Sequence, residues 1–173
     1  MKRITLLMMA CLLALATPAL AQNVKIGYVD LQRALNLSSA GVGAKEEIAK
    51  KVREYEGQVS QRQDELRKLK EELERQAVLL SEDARSRKER EYQQKLRDFQ
   101  RFTKDIQDEL QQKDAELTRR ILEDIFQVIG EYGAREAYTV ILEKTESSLL
   151  YAADHIDLTD RIIEAFNARA RKN

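Results

Sequence analysis

The chain has 173 residues, of which 35% are charged, 6% are aromatic and one is proline. So few aromatic side chains argue against one large compact core, whereas proline-poor chains rich in Glu, Lys, Arg, Gln and Leu form long helices. Thirty basic and thirty acidic residues balance to a formal net charge of zero, which argues against a nucleic-acid-binding protein.

The N-terminus has the pattern of a secretory signal peptide. Lys2 and Arg3 precede an uncharged apolar run over residues 4–16, and Ala19 and Ala21 form a small-x-small cleavage signal. We expect cleavage after Ala21 and export to the periplasm. The single cysteine lies inside the apolar run, where lipidation is the less favoured alternative. The processed chain would then have no cysteine and no disulfide to stabilise it.

The first residues after the predicted cleavage site indicate a small folded body. Residues 24–29 alternate and are rich in β-branched side chains, which predicts a strand. Asp30 is placed to cap a short helix over residues 31–37. The small residues from 38 to 43 predict a flexible connection.

From residue 44 onward the apolar side chains recur at alternating spacings of four and three, in two successive ladders. The first ladder consists of Ile48, Val52, Tyr55, Val59, Leu66, Leu69, Leu73 and Leu80. The second ladder consists of Tyr92, Leu96, Phe99, Ile106, Leu110 and Leu117. A repeat that averages about 3.5 residues is typical of a coiled-coil seam.

The two ladders are out of phase. If the first ladder is extended past Leu80 it meets only polar residues, so a single helix would lose its apolar stripe there. A turn near residues 81–85 restores it, because Ser81 suits an N-cap and the two acidic residues after it suit a first helical turn. We predict an antiparallel hairpin with arms over 45–80 and 82–118, each roughly 54 Å long. A phase shift within one long helix of a parallel coiled coil is the alternative.

The predicted seam is weak. Arg62, Gln76, Thr103 and Lys113 occupy seam positions, where polar side chains lower stability. Gly57 lies well inside the first helix, where glycine costs about 1 kcal/mol relative to alanine. We therefore expect a compliant arm with a bending point at Gly57.

The C-terminal third returns to the body. After Leu117 the apolar residues cover more than one helix face, which predicts entry into a thicker core, with Gly133 at the helix end. Residues 137–142 and 148–152 predict two further strands, and Asp157 is placed to cap a last helix. A body of about three strands is marginal alone. Its open strand edges favour association with other copies.

Three parts of the chain resemble the Skp/OmpH family of periplasmic chaperones. The opening Ile26–Leu35 looks like the start of the processed family members. Leu80–Ala84 and Leu96–Phe102 resemble the tip and return of their arm. Tyr138–Lys144, followed by Ile156–Asp160, is similar to their closing strand and helix.

This resemblance, over residues 24–168, implies a mainly α, α+β fold in which a helical-hairpin arm projects from a small β-strand trimerisation body. Three arms of the homotrimer would enclose a cavity, as in a jellyfish. The implied function is an ATP-independent holdase that captures unfolded outer-membrane proteins there and prevents their aggregation. The alternative is a coiled-coil spacer or tether of the cell envelope. The predicted division is signal peptide 1–21, body 22–44, arm 45–118 and body 119–173.

Charge and oligomerisation define the candidate site residues. Well-known family members are strongly basic, whereas this chain is near neutral; even so, residues 75–104 hold nine basic and five acidic residues, or +4 per chain. Such an arm end would attract acidic clients, anionic lipid headgroups or lipopolysaccharide. The candidate contacts are Arg75, Arg85, Arg87, Lys88, Arg90, Lys95 and Arg97. The candidate oligomerisation residues of the body are Val24, Ile26, Tyr28, Val140, Leu142, Leu158 and Ile162.

The sequence contains no catalytic motif. It has no phosphate-binding loop and no nucleophile elbow, and its only histidine, His155, has no cysteine with which to bind a metal. We expect no enzyme activity, no cofactor and no metal.

Overall fold

A computed structural model of the protein describes residues 24–76 and 80–171; the predicted signal peptide lies outside them. No helix in this part of the chain combines the length and apolarity needed to cross a membrane. The elements in chain order are β1 (Ile26–Val29), α1 (Leu31–Leu37), α2 (Ser39–Gln76), α3 (Glu82–Arg135), β2 (Val140–Glu143), a 3₁₀ turn (Asp154–Ile156) and α4 (Thr159–Ala170). The fold is thus mainly α with a small sheet, as predicted.

Helices α2 and α3 form an antiparallel hairpin. Ion pairs that cross between them fix the register: Glu47–Lys113 (3.3 Å), Lys51–Glu109 (3.9 Å), Glu65–Lys95 (3.5 Å) and Glu72–Lys88 (3.0 Å). The two residue numbers of each pair add up to 160, so the helices fold back symmetrically around residue 80. The predicted hairpin is confirmed, and the continuous rod is excluded.

The start of α3 agrees with the sequence prediction. Ser81 is the N-cap, and its side-chain oxygen accepts a hydrogen bond from the Ala84 amide at 3.4 Å. Glu82 and Asp83 occupy the first turn, where the helix dipole favours negative charge. With 38 and 54 residues, α2 and α3 are about 57 and 81 Å long, so α3 extends beyond the hairpin into the body.

The body packs both ends of the chain around the C-terminal part of α3. Strands β1 and β2 are parallel neighbours, with Ile26 opposite Val140 and Val29 opposite Glu143. The buried core joins residues of β1, α1, α3 and α4, namely Val29, Ala34, Ile121, Ile125, Val128, Leu158, Ile162 and Phe166. These residues are distant in sequence, so the body forms only when the segments before and after the arm pack on each other.

The flexible connection predicted over residues 38–43 is wrong. Ser38 ends α1, and α2 begins at the next residue. The Ser38 hydroxyl accepts a hydrogen bond from the Gly41 amide at 3.1 Å, which satisfies a donor of the first turn. Gly41 is buried against α1: a Cβ there would lie 1.7 Å from the Leu35 carbonyl oxygen. The small residues therefore allow α1 and α2 to pack closely at a sharp corner.

Gly133 does not end α3, which continues to Arg135. Gly133 is buried, and a Cβ on it would meet the Ile141 side chain at 3.2 Å, so close packing on β2 explains the glycine. At the last helix, Leu158 rather than Asp157 is the cap residue. The Asp157 carboxylate nevertheless accepts a hydrogen bond from the Thr159 amide at 2.8 Å.

The strand predicted over residues 148–152 is not formed. Within the part of the chain that the structure describes, the sheet has two strands, and residues 149–153 have no regular structure. Leu150 and Tyr151 are 99% and 86% exposed, and Ser148 has a positive φ of 50°. An apolar strand needs a neighbouring strand to bind its backbone, and the single chain does not supply one here.

Candidate functional site: the helical arm

The helical arm, residues 45–76 and 80–118, contains no buried residue. Two helices cover only one side of each other, so the apolar side chains of both ladders remain partly exposed. In the body, by contrast, Ile125, Leu158 and Ile162 are fully buried. The arm therefore presents a long, half-open apolar seam to its surroundings.

Two of the polar residues within the seam make contacts across the hairpin. The Arg62 guanidinium lies 3.9 Å from the centre of the Phe102 ring, in a cation–π contact. Lys113 forms its ion pair with Glu47. Two of the four predicted weak positions of the seam are thus bridged, whereas the Thr103 hydroxyl donates to the Gln100 carbonyl of its own helix at 2.9 Å.

Tyr55 is tied to the opposite helix by its hydroxyl. The pKa of Tyr55 is raised mainly by a hydrogen bond to the Glu109 carboxylate and, to a smaller extent, by burial, because both favour the protonated phenol. Lys51 binds the same carboxylate at 3.9 Å and also lies over the Tyr55 ring at 5.7 Å. Tyr55 is therefore surrounded by charged groups of both helices at its polar end.

Four of the predicted basic contact residues are engaged in ion pairs. Lys88 and Lys95 cross the hairpin to Glu72 and Glu65. Arg75 binds Glu71 at 3.0 Å and Arg85 binds Glu89 at 2.9 Å, each one turn away along the same helix. Lys88 and Lys95 thus have a clear structural role, which makes them poorer candidates for binding a partner.

The other three predicted contacts belong to a row on the solvent side of α3. We call this set the basic row: Arg87, Arg90, Arg97, Arg101 and Lys104. All five side chains are exposed, and none forms an ion pair within residues 24–76 and 80–171. The row is about 26 Å long and contains no acidic residue at its helical spacing, although Asp83 and Asp108 bound it. Such a row can bind a linear or planar array of anions.

Arg101 and Lys104 were absent from the predicted contact set. The available signal was the polar continuation of the first ladder, which passes through residues 87, 90, 94, 97, 101 and 104. The net charge of the distal arm does not reveal the basic row, because it includes ion-paired and unpaired cations alike.

The predicted oligomerisation residues divide by burial. Val24, Ile26 and Val140 are exposed by 63%, 43% and 43%, and Leu142 is partly buried. Tyr28, Leu158 and Ile162 are buried in the core of their own chain. The exposed group can contact another copy, whereas the buried group can act on assembly only by holding the body together.

The remaining polar candidates form no reactive site. His155 is exposed in the 3₁₀ turn. Across residues 24–76 and 80–171, no group of three or more His, Cys, Asp or Glu side chains is placed to hold a metal ion.

The fold and the arm define a class of protein: a long antiparallel helical hairpin carried on a small α+β body. The family model of outer membrane proteins of the OmpH-like type matches residues 25–166. The chain therefore belongs to the OmpH-like family.

A solved structure supports the same fold. A crystal structure from Caulobacter crescentus CB15, of a protein proposed to be an OmpH-like outer membrane chaperone, superposes with a TM-score of 0.79. The two chains are 18% identical, and the match covers 88% of each. At this identity the similarity establishes the fold alone. No curated protein sequence matches the chain.

Proposed function

We propose that this protein is an ATP-independent holdase chaperone of the periplasm, which binds unfolded outer-membrane proteins and keeps them from aggregating. Membership of the OmpH-like family supports a chaperone role. The observation that carries the proposal is the absence of any buried residue in the helical arm. The arm uses about 70 residues to form a seam that is only half covered. Its apolar surface is therefore available to other chains.

The open edge of the sheet favours assembly with other copies. Strand β2 pairs with β1 on one side, and no other strand of the described residues covers its second edge. Val24, Ile26 and Val140 are exposed nearby in the sheet register. Residues 148–152 carry the exposed Leu150 and Tyr151. We propose that these residues pair between chains in a homotrimer, which would give the unformed strand its partner.

In such a trimer, three arms would enclose the client. Each arm offers partly buried apolar side chains over the length of its hairpin. Binding would then consist of many weak contacts to one flexible polypeptide, whose combined strength comes from multivalency. Release without ATP is compatible with contacts that are individually weak.

The basic row gives the arm a second mode of contact. Its exposed cations can attract acidic segments of a client, anionic lipid headgroups or lipopolysaccharide. This contact would mainly raise the rate of association, because salt screens charges at a solvated surface and leaves them little effect on the affinity.

An aggregation assay separates the holdase from an envelope spacer. A urea-denatured outer-membrane β-barrel protein is diluted with and without the processed chain, and light scattering is followed over time. We expect scattering to fall as the chain is added, without ATP. A spacer or tether would leave the scattering unchanged, and that result would refute the proposal.

A further inference from the structure

A shallow groove opens midway along the helical arm. Its floor is formed by five partly buried residues of the two ladders, and its rim by three exposed residues of α2. The floor consists of Val52, Tyr55, Val59, Ile106 and Leu110, and the rim of Glu56, Ser60 and Gln63. We call it the mid-arm groove. Its volume is about 260 Å³, far above the roughly 30 Å³ that one water molecule occupies.

The groove lies beside an uncharged stretch of α2. Residues 57–61 of α2 carry no charge, in a chain in which 35% of the residues are charged. Glu56 is the one charged residue of the rim. The floor consists of four aliphatic side chains and Tyr55, so it offers mainly apolar atoms. An apolar group could therefore enter the groove without the energetic cost of desolvating a charged side chain on its floor.

The arm of another copy has little to place in this groove. The large side chains that are strongly exposed all belong to the body: Val24, Ile26, Leu37, Val42, Phe126, Val140, Leu150 and Tyr151. Within the described part of the arm, the large apolar side chains are all partly buried. A polypeptide that has not yet folded, in contrast, exposes large apolar side chains that are buried in its native state.

We propose that the mid-arm groove is a binding subsite for single large apolar side chains of an unfolded polypeptide. The inference rests on the proposed holdase function and locates one of its contacts. The rim, in which Glu56 is the one charged residue, suits an apolar occupant. The ion pairs across the hairpin hold the floor between α2 and α3. A client would enter this subsite repeatedly with different side chains.

The helix supplies a matched control for a test. Ser60 and Gln63 line the groove, whereas Gln58 and Gln61 are exposed on the same helix and do not line it. The double variants S60E/Q63E and Q58E/Q61E add the same charge to the same turns of α2. Only the first places carboxylates beside the apolar floor, where an entering side chain would strip them of water.

The experiment measures the affinity of the processed, full-length chain for a urea-diluted outer-membrane β-barrel protein, by fluorescence anisotropy. We expect S60E/Q63E to weaken binding about tenfold, the effect of losing one well-buried apolar side chain. Q58E/Q61E should stay within about twofold of the unmodified chain. Equal effects of the two variants, including none, would overturn the subsite.

Photo-crosslinking provides a test that does not alter charge. A photoreactive residue at position 60 should crosslink to the client, and one at position 61 should do so far less. Equal yields would overturn the subsite while the holdase stands. Crosslinking at position 60 to lipid vesicles but not to the client would replace it with a lipid site. If the unmodified chain fails to bind the client, the proposed function and the subsite are both wrong.

Discussion

Gly41 controls the sharp corner between α1 and α2. A Cβ at this position would lie 1.7 Å from the Leu35 carbonyl oxygen, which is backbone and cannot rotate away. We expect Gly41→Ala to lower the free energy of unfolding by about 3 kcal/mol, the upper range for overpacking a core. Urea unfolding followed by circular dichroism measures the change.

Gly43 is the matched control, two residues further along α2. No atom lies within 4 Å of a Cβ built there, so Gly43→Ala meets no clash. The substitution should raise the free energy of unfolding by about 1 kcal/mol through helix propensity. If both alanine variants were equally stable, the tight corner would not exist in solution.

Asp157 joins β1 to the start of α4 through its carboxylate. Burial favours the neutral acid, but hydrogen bonds from the Thr159 hydroxyl and amide and from the Tyr28 hydroxyl, together with the Arg33 charge, lower the pKa of Asp157 below 3.8. Because the pKa is lower in the folded chain than in the unfolded one, this stabilisation is present above pH 3.8. It is lost as the pH falls through the folded value.

We expect Asp157→Asn to lower the free energy of unfolding at neutral pH by about 2 kcal/mol, the range for hydrogen bonds to a charged group. The difference from the unmodified chain should shrink when the pH is taken below 3.8. Urea unfolding at fixed protein concentration, repeated over a pH series, measures both effects. A difference that does not depend on pH would mean that the carboxylate charge is not the stabilising feature.

At the scale of whole elements, the arm was predictable because its signal is local. The two ladders repeat over adjacent helical turns, and their change of phase at Leu80 is most simply explained by a reversal of the chain. Ser81 then marks the start of α3, as its capping hydrogen bond confirms. A seam between neighbouring helices needs no information from distant residues.

Elements that depend on distant contacts were predicted less well. The small residues 38–43 resemble a linker, although Gly41 is small because α1 packs on it. Residues 148–152 have a strand-like composition, yet no partner strand lies within the described chain. Likewise, the sequence identified the basic residues of the arm, but only the hairpin register shows that Lys88 and Lys95 are paired and that Arg87 and Arg90 are not.

Gly57 remains the predicted bending point of α2. The helix runs through it without interruption, and nothing lies within 4 Å of a Cβ at this position. Gly57→Ala should therefore stabilise the arm by about 1 kcal/mol, which slows amide hydrogen exchange nearby about fivefold. Exchange in the body, for example at Ile125, is the internal control. Unchanged exchange around residue 57 would show that the glycine does not soften the arm.

At the scale of the molecule, charge is distributed unevenly along a nearly neutral chain. Reversing the unpaired cations of the basic row (R87E/R90E/R101E/K104E) should weaken capture of an acidic denatured client at low salt at least tenfold. The difference should fade near 1 M salt, where the screening length is about 3 Å. Ion-paired Lys88 is left intact, because its loss would also disturb the hairpin.

The matched control for the basic row reverses four exposed cations of α2 (K45E/K50E/R53E/K68E), which form no ion pair within residues 24–76 and 80–171. Both variants change the net charge equally, so a general charge effect would weaken capture to the same extent in both. An equal loss would contradict a specific role for the row.

The central claim is that a body too small to stand alone assembles copies of a half-open arm around an unfolded polypeptide. Native mass spectrometry of the processed chain, alone and with a denatured outer-membrane β-barrel protein, tests it most directly. We predict a species of three chains by itself, and a complex of three chains with one client after mixing. A monomer that forms no complex with the client would contradict the account.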